Sequence, residues 1–187
     1  LDKSNTVYEQ ENDHVVKILG TTFIEKPYTV LLEGAGFLGW RTVAILGARN
    51  PRMISQIDAI IDQEKRSTEE RFSEIGDFTI RCHVYGRGAV LGGSEPESGM
   101  APQELAIVVD VVAENQRLAH DMTEDLALKL AFSRYENRTT TAGNVAYLLS
   151  PNVIDVGEAY ETTIYHQMPI DDPLELFQIN VKNIREV

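Results

Sequence analysis

At 187 residues, 43 % hydrophobic and 25 % charged, the chain is sized for one domain, or one plus an extension, and its balance argues against disorder, a collagen-like repeat or a coiled-coil rod. Seventeen basic residues against 29 acidic ones give a net charge of −12 with no Lys/Arg cluster, which speaks against nucleic acid and anionic membranes as partners. No apolar run approaches the roughly 18 residues of a membrane span, and the single cysteine, Cys82, excludes an internal disulfide and a thiolate metal cage, so the expectation is a soluble, cytoplasmic protein.

The opening LDKSNTVYEQENDH has neither an initiator Met nor a signal-type apolar core and reads as the start of a piece cut from something larger. After the apolar segments Val15–Leu19 and Tyr28–Leu32 comes GAGFLG at Gly34–Gly39. This G-x-G-x-x-G matches a dinucleotide fingerprint only in letters, because the fingerprint needs a helix on its third glycine, whereas Trp40, Thr42, Val43 and Ile45 have strand composition. A glycine-rich hairpin is expected instead.

Asn50 followed by Pro51 predicts a helix start, and Met53, Ile54, Ile57, Ile60, Ile61 and Phe72 keep helical spacing up to Gly76. Ser67-x-x-Glu70 offers an alternative break near residue 66. From Asp77 the period drops to two, with Phe78, Ile80, Cys82 and Val84 on one face and Thr79, Arg81, His83 and Tyr85 on the other. The glycine-rich loop Gly86–Met100 leads to ELAIVVDVVA at Glu104–Ala113, a central strand, apolar on both faces apart from Asp110. A second helix runs from Asn115 to Tyr135, built on Leu118, Met122, Leu126 and Leu130 with alanines beside them. The polar loop Thr139–Asn144, the apolar stretch Val145–Leu149, a Ser150-Pro151-Asn152 turn, the strand Tyr160–Met168 and one capped helical turn from Asp171 complete the chain.

The order β-α-β-β-α-β predicts an α+β fold, a ferredoxin-like sandwich with both helices on one sheet face and an N-terminal β-hairpin extension. Residues 1–39 form the extension and hairpin, 40–170 the core and 171–187 a tail. Trp40–Gly47 and Glu104–Ala113 are its central pair, flanked by 78–85 and 160–168. Because Ala106, Val108 and Val112 are as apolar as Ile107, Val109 and Val111, the helix-free face needs a cover: the N-terminal hairpin, a second copy of the chain, or a missing domain.

Few residues offer chemistry. His14 and His120 read as solvated surface groups, while His83 and His166 lie on strands at opposite sides of the central pair, roughly 14 Å apart at about 4.8 Å per strand, too far for a shared metal. No metal or cofactor is expected. His166 is the candidate catalytic base, with Glu161 or Asp171 as possible orienting carboxylates, although no defined nucleophile accompanies it. Cys82 alternates with core residues and reads as buried and inert. Arg87 in the long loop could clamp a carboxylate, opposed by Glu95 and Glu97, and the bland alternative is a simple connection. Thr140, Thr141 and Asn144 could hold an anion or merely satisfy local backbone groups. Arg41, Arg81 and His83 would form a cationic strip on the helix-free face, suited to a small organic acid or an acidic partner surface, unless neighbouring Glu side chains pair with them across the strands.

The runs EGAGFLGWRTVAILGARNP, HVYGRGAVLGGSEP, APQELAIVVDVVA, TTTAGNVAYLLSP and TIYHQMPIDDPLELF, in this order from Pro27 to Phe177, resemble the C-terminal half of the acyclic terpene utilisation AtuA-like family. Trp40, where Tyr is common, and Leu148-Leu149, where aromatic-proline pairs are common, are departures. The resemblance implies a bacterial, cytoplasmic setting, a longer parent protein with a further N-terminal domain, often a small partner protein, and a role in catabolism of branched acids or acyl thioesters. It transfers no catalytic residue. Two expectations stand: an assembly and substrate-framing domain that forms homo-oligomers; or a hydro-lyase or isomerase acting on a branched carboxylate or its thioester, with His166 transferring the proton and Arg87 or the Thr139–Asn144 loop clamping the carboxylate, the candidate substrate contacts being Arg41, Arg87, Thr140, Thr141 and Asn144.

Overall fold

The computed structural model describes residues 1–94, 102–174, 176–177 and 181. The chain divides into two compact units, residues 35–161 and a second made of residues 1–34 and 162–187. Glu95 and Glu97 lie outside the described residues.

The unit of residues 35–161 is α+β. Its sheet is built on β3 (Thr29–Ala48), which pairs antiparallel with β5 (Leu105–Ala113), from Trp40 opposite Ala113 to Ala48 opposite Leu105. Beyond β5 lies β4 (Phe78–Tyr85), also antiparallel, and on the other side of β3 the two-residue β6 (Ala146–Tyr147) pairs with Leu46 and Gly47. The last strand, β7 (Val153–Pro169), also pairs with β3. Its contacts run in opposite order along the two chains, Thr42 with Asp155 and Phe37 with Tyr160, as antiparallel neighbours must.

Strand alternation sends Thr42, Ala44, Leu46, Ile107, Val109 and Val111 to one face, where all are buried against two helices. Asn50 caps the first turn by accepting from the Arg52 amide, and Pro51 occupies the first helical position. The predicted single helix is in fact two, α1 (Pro51–Ile54) and α2 (Ile57–Phe72), interrupted at Ser55–Gln56 rather than near residue 66. Apolar residues keep their spacing across that break, so Met53, Ile57 and Ile60 still enter the core. α3 (Gln116–Phe132) starts on Asn115, whose side chain accepts from the Leu118 amide, and buries Leu118, Met122, Leu126 and Leu130. Each fully buried aliphatic side chain contributes about 1.5–3 kcal/mol.

In the other unit, β1 (Val7–Asn12) and β2 (Val15–Leu19) form an antiparallel hairpin with every residue exposed. The outer ends of β3 and β7 also lie here, with the Gln167 amide donating to the Thr29 hydroxyl at 2.7 Å and the Ile170 amide to the Tyr28 carbonyl at 2.9 Å.

The glycine-rich stretch Gly34–Gly39 is no hairpin. It continues β3 as one extended strand, the turn having been placed between β1 and β2 instead. Gly39 sits at φ +146°, and a Cβ there would come within 2.6 Å of the Ala113 carbonyl oxygen, so the glycine permits close approach of two strands. The last strand begins at Val153, seven residues earlier than Tyr160, because Val153 and Ala159 bury against the sheet while the Tyr160–Met168 side chains, read as a core flank, are mostly exposed. After Asp171 the described residues form turns, not a helical turn.

Candidate functional site

The same alternation that buries Thr42 and Ala44 places Arg41, Val43 and Ile45 on the helix-free face of β3. Register then sets Val112, Asp110 and Val108 of β5 beside them, and Thr79, Arg81 and His83 of β4 beyond. The sequence-predicted strip of Arg41, Arg81 and His83 therefore shares one face, and Asp110, seen in the sequence only as an interruption, lies at its centre. Arg41 Nε is 3.0 Å from Asp110 Oδ1, close as an ion pair but poorly aligned as a hydrogen bond, and His83 Nε2 is 4.0 Å from Asp110 Oδ2. The pairing partner is thus Asp110, not a neighbouring Glu. Its side chain is 15 % exposed, which an unpaired carboxylate would not tolerate. Around this group Val43, Ile45, Ala106 and Val108 are half-buried, whereas Val112 is buried within the unit. The open face is consequently a shallow apolar surface with two arginines and a histidine against one carboxylate.

A second polar network lies on the helix side. The buried Thr42 hydroxyl donates to Asp155 Oδ1 at 2.9 Å, the same oxygen lies 2.9 Å from His120 Nδ1, and the Gln116 amide donates to Thr42 Oγ1 at 2.7 Å. Burial opposes ionisation of Asp155, but hydrogen bonds from His120 and Thr42 outweigh it and hold the carboxyl below its ordinary value. His120 is therefore not a free solvated group. Gln116 and His120 stand four apart on one helix face, a spacing legible in the sequence; Asp155 gave no signal, because only sheet pairing brings it beside Thr42.

A third network ties α2 to α3. Asp125, 8 % exposed, accepts from the Thr68 hydroxyl and Lys129 Nζ at 2.8 Å each and pairs with Arg71. Here too burial raises the carboxyl pKa, and the bonds from Lys129 and Thr68 with the nearby Arg71 charge reverse it to a net lowering.

The remaining predicted site residues are scattered. Arg87 pairs with Asp58 of α2 at 2.7 Å and reaches the Ile54 carbonyl, so it closes a loop onto the helix start. The Thr140 hydroxyl accepts from the Ala142 amide at 3.1 Å, Thr141 is exposed, and the buried Asn144 amide donates to the Ser133 carbonyl at 2.9 Å. Together with Arg138, which donates to the Phe132, Ser133 and Ala142 carbonyls, these groups satisfy the backbone after α3. His166 is exposed on the part of β7 that belongs to the other unit, and its side chain has no hydrogen-bond partner among the described residues. Cys82 is partly buried, and burial pushes its thiol up to about 11.

Among the described residues no three His, Cys, Asp or Glu side chains stand together as a metal site, and no helix is long and apolar enough to cross a membrane. Comparisons with family models, with curated proteins and with solved structures found no match.

Proposed function

We propose that this chain is an assembly and substrate-framing domain of AtuA-like type, serving catabolism of branched acids or acyl thioesters, and that a second copy of the chain docks on its helix-free sheet face. The observation that carries the reading is the Arg41–Asp110–His83 group set among half-buried Val43, Ile45 and Val108. Charge selects the occupant. In a chain of net charge −12 most of the surface that another copy presents is acidic, which complements Arg41, Arg81 and His83. The ferredoxin-like reading of this unit is supported by the order β4-β5-β3 with β7 also on β3, antiparallel throughout, and by helices on one face.

Light scattering after size exclusion tests the docking. The expected result is a mass above the 20.9 kDa of one chain that drops towards the monomer in Val108→Glu and in Arg81→Glu, and that falls with added salt. A monomer at every protein concentration would overturn the proposal, as would an oligomer indifferent to both substitutions.

A further inference from the structure

A cleft of about 560 Å³ opens beside α3, between the end of α2 and the segment that joins β6 to β7. Its volume falls in the range of small-molecule sites, about 300–1,000 Å³. Phe72, Ala127, Leu128, Tyr147 and Val153 supply its apolar lining, and the remaining residues are charged apart from Asn152.

The charges decide which ligand fits. Arg117 pairs with Asp121 at 2.8 Å, and Arg71 pairs with Asp125, which Lys129 and Thr68 also hold. Those pairs leave Glu124 as the ionisable group of the cleft wall without an ion-pair or hydrogen-bond partner among the described residues. With Lys129 counted on Asp125 the charges around the cleft balance, and Glu124 is the one carboxylate among them that no cation of the described residues touches. A carboxylate ligand would have to share each guanidinium with the carboxylate already on it, Asp121 on Arg117 and Asp125 on Arg71. An inorganic cation would meet one free carboxylate, short of a coordination shell. A cation with an apolar body meets both requirements at once. The Tyr147 phenol is raised by burial and by the Glu124 charge, so it stays neutral and adds no competing anion.

We propose that this cleft binds a small organic amine, its ammonium group on Glu124 and its apolar portion along Phe72, Leu128, Tyr147 and Val153. Asn152 is also in the lining, and its side-chain oxygen is of the kind that accepts an ammonium proton. Nothing in this proposal depends on how the sheet face is used, since the cleft lies on the helix side.

The test is an isosteric series of hexylamine, 1-hexanol and hexanoate followed by amide chemical shifts of the labelled chain. Hexylamine is expected to move the Glu124, Leu128 and Asn152 signals saturably, with the alcohol and the acid at least about fivefold weaker, as loss of a charged hydrogen bond implies. Glu124→Gln, an exposed isosteric change whose fold circular dichroism checks, is expected to weaken hexylamine binding by a similar factor. Equal responses to amine and alcohol, stronger binding of hexanoate, no saturable shift at these residues, or full binding in Glu124→Gln would each overturn the proposal.

Discussion

The Thr42 hydroxyl donates to Asp155 Oδ1 at 2.9 Å, a bond that joins the helix side of β3 to β7 across 113 residues of sequence. Thr42 is fully buried, so its hydroxyl has no water to turn to and the carboxylate is its acceptor. His120 shares that oxygen, which makes Asp155 the point where α3 and two strands meet.

Stability should therefore depend on pH through Asp155. Its folded-state pKa lies below the ordinary carboxylate value, so the contribution is present above that ordinary value and is lost as pH falls through the folded pKa. Asp155→Asn is expected to cost under about 1 kcal/mol at pH 7, because the side chain is half exposed, and the deficit should shrink below about pH 4. Urea unfolding of both proteins between pH 3 and 7 measures this; a constant deficit would contradict it.

Asp125 should matter more. It is nearly buried and serves Thr68, Arg71 and Lys129 together. Asp125→Ala is expected to lose about 2 kcal/mol, consistent with hydrogen bonds to a charged group, while Arg71→Ala, on the exposed rim, should lose well under half of that. Comparable losses from the two would show that burial of the carboxylate is not what counts.

At Gly39 a side chain is expected to be costly. Its φ of +146° is rare for L-residues, and the added Cβ would press on the Ala113 carbonyl at 2.6 Å and on Val112 Cγ1 at 3.0 Å. Gly39→Ala should destabilise by about 1–3 kcal/mol in thermal or denaturant unfolding. An unchanged midpoint would mean that β3 and β5 separate there without penalty.

Cys82 should react slowly. With its pKa pushed up to about 11 by burial, little thiolate exists at pH 8, and labelling by iodoacetamide should keep accelerating as pH climbs beyond the ordinary thiol range. In 6 M urea the rate should rise to that of a free cysteine. A native rate that levels off near pH 9 would argue against the buried environment.

Local chemistry was legible in the chain. Asn50-Pro51 and Asn115 marked the starts of α1 and α3, Phe78–Tyr85 announced its period of two, and the apolar spacings over the helical segments named core residues that are buried. Those signals lie within a few residues of one another and depend only on backbone geometry and solvent. The break at Ser55–Gln56 leaves no mark in the hydrophobic pattern because the apolar spacing carries through it. The glycines of Gly34–Gly39 suggested a turn because glycine serves turns and close strand approaches alike.

Of the open face, strand alternation in the sequence pointed to Arg41, Arg81 and His83; Asp110 acquired its role only when two strand registers placed it between them. His120 and Asp155, and the charges around Glu124, were likewise assembled by pairing across the sheet and packing of α3. By itself the chain determined which helix residues leave water and where α1 and α3 begin, since helical burial and capping are decided over a few neighbouring residues. Which charged groups become neighbours was decided by tertiary structure alone, because a charge's partner is set by distance in space, and that distance is fixed by register.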